Sequence, residues 1–305
     1  MELSHILGRN SFMSLSIHTA LVEERAKARR PAISHAILRR YRSRLSDIWK
    51  APLHDFPIRD EILCQFLPLS SEMNVLEVGP GSGFTAFWLA RLVHSLTLID
   101  ASAESLADLG RQFRHSPNVR CLCTDPTRPG LASDLKQRFD VAFGLDVFEY
   151  LVDPGTCLRN FAEVLRDQGE LFLTYPNVAP PLGDGVTYFS EYSEIELLLA
   201  RAGFKSWEIF AVRLRPYPSL VYHVLHEWPL RVCRRRPTRN RLTGPLVYDV
   251  TWAFQHRQKL SRFRSALHLF WLALGAVMRL GGDIFTREAA TERVLDRQLV
   301  IRAWK

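Results

Sequence analysis

The stretch Asn74 to Gly83, NVLEVGPGSG, constrains this chain more than any other. Val75, Leu76 and Val78 make a short apolar run that ends in glycines, the pattern of a strand buried on both faces of a parallel sheet. Phe84 to Val93, FTAFWLARLV, has the composition of a helix packed on that strand. Strand, glycine turn and helix in succession build a ligand cradle. Gly79, Gly81 and Gly83 remove side chains where the backbone turns tightly, and the following helix directs unpaired N–H groups at whatever approaches. A nucleotide-like ligand suits such a site.

The dinucleotide fingerprint is G-x-G-x-x-G, but three residues after Gly81 stands Phe84, and the third glycine comes one position early, at Gly83. That spacing argues against NAD. Leu96 to Ile99 reads as a second strand, and Asp100 at its end puts a carboxylate about 20 residues beyond the turn, placed to accept from both hydroxyls of a ribose. Here the sequence resembles the class I S-adenosylmethionine-dependent methyltransferases, whose first motif runs acidic-x-G-x-G-x-G and is met by Glu77, Gly79, Gly81 and Gly83. The resemblance implies a Rossmann-like α/β fold, a seven-stranded and mostly parallel sheet with an antiparallel last strand, and S-adenosylmethionine as cofactor. The plainer alternative is a glycine turn in a Rossmann-like domain that binds something else.

Ser102 is placed to cap a helix running to Phe113, and Asn118 to Cys123 reads as the third strand. Asp125 follows directly. In the resembled family a polar residue here usually faces the adenine amino group, and a carboxylate is a suitable acceptor; otherwise Asp125-Pro126 simply opens a turn. Phe139 to Gly144 reads as the fourth strand. The run after it resembles small-molecule methyltransferases, the ubiquinone-type O-methyltransferases among them, which carry D-V-L-E-H-x-x-D-P, a helix ending in L-x-x-G-G and a strand ending in P-N. The matches are Asp146, Val147, Glu149, Asp153, Pro154, Leu165, Gly169, Pro176 and Asn177. Asp146 joins the implied cofactor-binding set. Two departures stand out: Tyr150 where those relatives have His, and Gln168 where many have Gly. Tyrosine is a poor ligand for a hard divalent ion, so no metal is expected. Should the acceptor be a hydroxyl, the residues placed to take its proton are Tyr150, Tyr175, Tyr188, His223 and His226, and the catalytic base is left unassigned among them.

Ser193 then reads as the cap of a helix that stops at Gly203, Lys205 to Arg213 as a sixth strand, and Gln298 to Trp304 as the last, antiparallel strand. These boundaries divide the chain into a helical extension (1–54), a catalytic core (55–213), a basic helical insertion (214–293) that serves as lid or docking element, and the core's final strand (294–305). The resemblance covers only the core and that strand.

The net charge of +8 is unevenly spread. Roughly +6 falls in residues 1–50, about −9 in 51–213 and about +9 in 214–293. An acidic core between basic attachments points to an anionic partner such as a membrane surface, although arginines also solvate helices without any partner. An amphipathic pattern at 31–49 and an apolar face from Leu267 to Met278, too short to span a bilayer, fit the same picture. No secretion signal is expected, since Asn10, Ser11, Ser14, Ser16 and His18 break the apolar run from Phe12 onward, and five cysteines without a C-x-x-C pair suit a reducing compartment. The expected setting is the cytoplasm, with association at a membrane as a further option. The acceptor implied is a small molecule, lipid-linked or glycan. Nucleic-acid binding is disfavoured: strand four lacks the (N/D)-P-P-(Y/F) grip on a planar nitrogen, and the basic segments lack interleaved aromatic residues. An RNA methyltransferase and a non-catalytic assembly partner remain the competing readings.

Overall fold

The computed structural model of this chain describes residues 62–63, 65–67, 69–81, 83–177, 189, 191–227, 273–274, 277–289 and 297–305. The expected helix at 31–49, Tyr188, the arginine cluster at 231–236, most of the apolar face at 267–278 and the side chain of His226 lie outside the described residues.

Among the described residues eight strands form one sheet, in the order β3-β2-β1-β4-β5-β8-β6-β7. β1 (Asn74–Val78), β2 (Ser95–Asp100), β3 (Val119–Cys123), β4 (Phe139–Leu145) and β5 (Leu165–Asn177) are parallel. β8 (Arg297–Trp304) lies between β5 and β6 (Ser206–Leu214) and is antiparallel to both. Hence β6 runs in the same direction as β5 and ends at the same edge. The fold class is the expected one, with one strand more than the seven expected. β7 (Phe285–Ala289) forms within the segment read as an insertion and pairs antiparallel with β6. Its sequence FTREA carries no alternating apolar signal because this is an edge strand, held in part by ion pairs from Arg213 to Glu288 (3.1 Å) and from Arg287 to Glu208 (3.4 Å).

Six helices fully bounded among the described residues are α1 (Phe84–Leu89), α2 (Ala103–Gln112), α3 (Leu131–Leu135), α4 (Pro154–Val164), α5 (Tyr192–Ala202) and α6 (Pro216–Tyr222), and residues 62–63, 65–66, 273–274 and 277–278 are helical as well. α1 stops short of the expected Val93 because the Asn118 amide donates to the carbonyls of Ala90 (2.7 Å) and Val93 (3.3 Å), tying that segment sideways to the start of β3. α2 is capped as expected: the Ser102 hydroxyl accepts from the Ser105 N–H (3.2 Å), and Phe113 is the C-cap. For α5 the cap is Glu191, not Ser193. Tyr192 is buried, which draws the first turn inward by two residues, and Ser193 instead donates its hydroxyl to the Glu191 carboxylate (3.1 Å). Gly203 ends α5 in the left-handed region, φ 93°, as expected.

The alternation of β1 splits the core in two. Leu76 and Val78 face α3, α4 and α5, where Leu158, Phe161, Tyr175 and Leu199 are buried. Val75 faces α1, α2 and α6, among Leu96, Leu98, Phe143 and Phe172. Burying each such side chain stabilises the fold by about 1.5–3 kcal/mol relative to exposure. One buried ion pair crosses the far half of the sheet: Arg302 Nε on β8 meets Glu170 Oε1 on β5 at 2.6 Å.

Candidate functional site

The strand register sets out a row of residues at one edge. Val78 pairs with Ile99 and with Gly144, Ile99 with Leu122, and Gly144 with Leu173. One step past that line stand Gly79 and Asp100; two and three steps past it stand Asp146 and Asp125. The sheet order changes direction between β1 and β4, since β1 leads outward to β2 and β4 to β5. In open α/β sheets the crevice at such a switch point, at the carboxyl ends of the strands, is where ligands bind.

The three glycines do three different jobs. All are in the left-handed region, with φ of 63° at Gly79, 53° at Gly81 and 77° at Gly83. A Cβ at Gly79 would lie 2.5 Å from Val147 Cγ2, so this glycine lets the loop after β4 close onto the turn. A Cβ at Gly83 would lie 2.3 Å from Leu109 Cδ2, so this one lets α2 pack against the start of α1. Gly81 is exposed, and its carbonyl accepts from the Ser105 hydroxyl at 3.5 Å. Of the three, Gly81 is the one with its surface open to a ligand.

The acidic residues differ as sharply. Glu77 is buried within β1, on the Val75 face. Asp100 is partly exposed at the end of β2, and its Oδ1 accepts from the Ser102 N–H (2.8 Å), which orients the carboxylate at the entry to α2. Asp125 is exposed and accepts from both the N–H and the hydroxyl of Thr127 (2.7 Å each), so it does open a turn. The loop behind it is pinned by the buried Asn160 amide, which donates to the carbonyls of Pro126 (2.7 Å) and Arg128 (2.9 Å). Asp146 is buried and left-handed, φ 52°. Its N–H donates to the Thr174 hydroxyl (2.9 Å), and its Oδ1 accepts from that hydroxyl (2.7 Å) and from Gln298 Nε2 (2.8 Å). Thr174 and Gln298 went unseen in the sequence reading. Gln298 lies 152 residues from its partner, and no local pattern signals that contact.

The residues considered as bases also separate. Tyr175 is fully buried against Phe148 and Phe189, and burial first, with the nearby Glu149 carboxylate second, pushes its hydroxyl far above the usual phenol range. It is a packing residue and no base at neutral pH. Tyr150 is exposed beside the loop that follows β4, and His223 is exposed just past α6. Among the described residues no three His, Cys, Asp or Glu side chains gather as a metal site.

The family profile of the methyltransferase domain matches residues 76–173, which is the stretch that carries every member of this row. Residues 76–173 form a class I methyltransferase domain. The cofactor of that family is S-adenosylmethionine, and the site fits it: an exposed left-handed glycine offers bare backbone, and carboxylates stand at the ends of β2 and β3. Curated proteins similar to the methyltransferase domain include the ubiquinone biosynthesis O-methyltransferases of Albidiferax ferrireducens and Xanthomonas euvesicatoria pv. vesicatoria. The first is 30% identical over 132 residues, which are 42% of this chain and 51% of that protein. The second is 31% identical over 130 residues, 42% and 54% of the two chains. The chain thus spans about half the length of the curated relatives it matches. Among solved structures, Haemonchus contortus phosphoethanolamine N-methyltransferase 2 in complex with S-adenosyl-L-methionine is similar at 16% identity and a TM-score of 0.49, over 87% of this chain and 58% of that one. At that score it bears on neither reaction nor substrate.

Proposed function

We propose that this chain is an S-adenosylmethionine-dependent methyltransferase that moves a methyl group to an oxygen of a small-molecule, lipid-linked or glycan acceptor. The observation that carries the reading is the coincidence of the methyltransferase domain with the row of Gly81, Asp100, Asp125 and Asp146 at the switch point of the sheet. When bound, the cofactor supplies a methyl group on a sulfonium, and transfer in line to a nucleophile demands chiefly alignment and exclusion of water. The turn at Gly81 lets a ligand approach the backbone, Asp100 accepts from ribose hydroxyls, and the exposed Asp125 accepts from an amino group at the end of β3. Glu77 supports from beneath, buried in β1. Asp146 is held rigid by Thr174 and Gln298 at the boundary between the cofactor edge and the acceptor side. Preorganisation of this kind avoids reorganising the site when donor and acceptor meet.

Oxygen as the acceptor atom is supported by the similar proteins from Albidiferax and Xanthomonas, which are ubiquinone biosynthesis O-methyltransferases. The basic segments on both sides of the acidic core support an anionic membrane surface as the setting, within a cytoplasmic location. No described helix is long and apolar enough to cross a membrane. Incubation with radiolabelled S-adenosylmethionine and fractionated extract tests the proposal. Label is expected in lipid, glycan or small-molecule fractions; label in RNA, or cofactor binding with no transfer to any fraction, would overturn it.

A further inference from the structure

Among the described residues, three that carry a side chain have a left-handed backbone: Lys136 and Gln168 near the starts of β4 and β5, and Asp146 (φ 52°) at the cofactor edge. That conformation is sterically disfavoured for an L residue with a Cβ, and it persists where surrounding contacts impose it. At Asp146 the contacts come from β5 and β8. Leu145, the last residue of β4, pairs with Thr174, and the Asp146 N–H still donates to the Thr174 carbonyl (3.2 Å) as well as to the Thr174 hydroxyl (2.9 Å). The hydroxyl donates in return to Asp146 Oδ1 (2.7 Å), which closes a ring between the two residues. Gln298 Nε2 adds a second donor to the same oxygen (2.8 Å) from β8, where Gln298 stands in register with Pro176 and Val212. Thr174 is fully buried, so no water can replace the bonds of its hydroxyl.

What this clamp positions is the next residue. Val147 is back in the right-handed region, φ −118° and ψ −28°, so the reversal is confined to Asp146. It turns Val147 back across the end of β4 towards β1. A Cβ built at Gly144 would lie 3.8 Å from Val147 Cβ, and one built at Gly79 would lie 2.5 Å from Val147 Cγ2. Gly79 opens the glycine turn, and its N–H donates to the Ile99 carbonyl of β2 (2.9 Å). A single run of contacts therefore leads from Thr174 and Gln298 through Asp146 and Val147 to the turn that carries Gly81.

We infer that Thr174 and Gln298 are positioning residues for the methyl donor: they impose the left-handed backbone of Asp146 and so seat the Val147 side chain that shapes the glycine turn. The inference rests on the reading of the Gly81 to Asp146 row as the cofactor site and goes beyond it, because both residues lie outside the stretch matched by the family profile. Thr174, buried beneath Asp146, acts through that residue and not on the donor. If apolar packing alone held Val147 in place, the hydroxyl would be dispensable.

Thr174→Val keeps nearly the same side-chain shape and removes the hydroxyl, whereas Thr174→Ser keeps the hydroxyl. Calorimetric titration of the full chain with S-adenosylhomocysteine should show affinity about tenfold weaker in Thr174→Val and within about twofold of the wild type in Thr174→Ser, as expected for one or two buried hydrogen bonds lost or kept. Arg302→Ala is the control for lost stability: it lowers the denaturation midpoint without reaching the clamp, and its folded fraction should bind as the wild type does. If Thr174→Val does not fold, Val147→Ala decides, since it leaves the clamp whole and trims the contact with Gly79, and it should show a comparable loss. Wild-type affinity in a folded Thr174→Val protein, or in Val147→Ala, overturns the inference while leaving the cofactor site in place. No binding by the folded wild type overturns the reading of the row itself, and the inference with it.

Discussion

In the half of the sheet built from β1, β2, β3 and β4, each candidate site residue lies within three positions of the strand that presents it: Gly79 and Gly81 after Val78, Asp100 at the end of β2, Asp125 after Cys123, Asp146 after Leu145. In the half built from β6, β7 and β8, the contacts that set the structure join distant residues. Arg287 meets Glu208 across 79 positions, Gln65 bonds Phe285 across 220, and Gln298 reaches Asp146 across 152. The first half is parallel and reads as local motifs; the second is antiparallel around β8 and is assembled from pieces that have no meaning alone. What joins them is the bond from Gln298 to Asp146. A site encoded locally is thus held in place by the part of the chain that carries no motif.

The largest effect should come from the far half. Arg302→Ala would strand the Glu170 carboxylate in a buried position and is expected to cost about 3–5 kcal/mol of stability. Chemical denaturation measures it, and affinity for S-adenosylhomocysteine in the folded fraction should not change. Asp100→Ala acts in the opposite way. It should weaken S-adenosylhomocysteine binding by about 1.5–3 kcal/mol, the worth of hydrogen bonds to a charged group, with a smaller loss of stability from the Ser102 contact. If its affinity were unaltered, the assignment of the ribose to the end of β2 would be wrong.

Gln298→Ala crosses the divide. Removing one of the donors to Asp146 Oδ1 should cost about 1–2 kcal/mol, shared between stability and turnover, while restoration with Glu, an acceptor in place of a donor, should fail. A Gln298→Ala enzyme with wild-type turnover would show that the two halves are independent. The smallest effect is a gain. Gln168 adopts φ 63°, the left-handed region, at the position where many of the resembled methyltransferases have glycine. Gln168→Gly should relieve that strain and stabilise the protein by about 0.5–1 kcal/mol, read as a higher Tm.

These contrasts explain what was legible in the sequence. The glycine turn, Asp100 and the run from Asp146 to Pro154 could be read because strand, turn and helix cap each leave a signature within a few residues. The strand order around β8 followed only from the family resemblance. β7 escaped notice because Thr286, Arg287 and Glu288 look like loop on either face, and only pairing with β6 makes them a strand. Ser193 looked like a better cap than Glu191 since the burial of Tyr192, which starts α5 earlier, is a tertiary fact. Asp125 was ambiguous for a physical reason: one carboxylate serves both the turn and the proposed contact, and the bonds to Thr127 occupy only Oδ1 in the structure.

The central claim is that the turn at Gly81 is where S-adenosylmethionine lies against the backbone. Calorimetric titration of the wild type and of Gly81→Val with S-adenosylhomocysteine tests it most directly, with circular dichroism to confirm that both are folded. One site per chain is expected in the wild type and no measurable binding in the variant, because a β-branched residue is strained at φ 53° and would put a side chain at the one exposed glycine of the three in the turn. Equal binding by a folded Gly81→Val protein, or none by the wild type, would contradict the account.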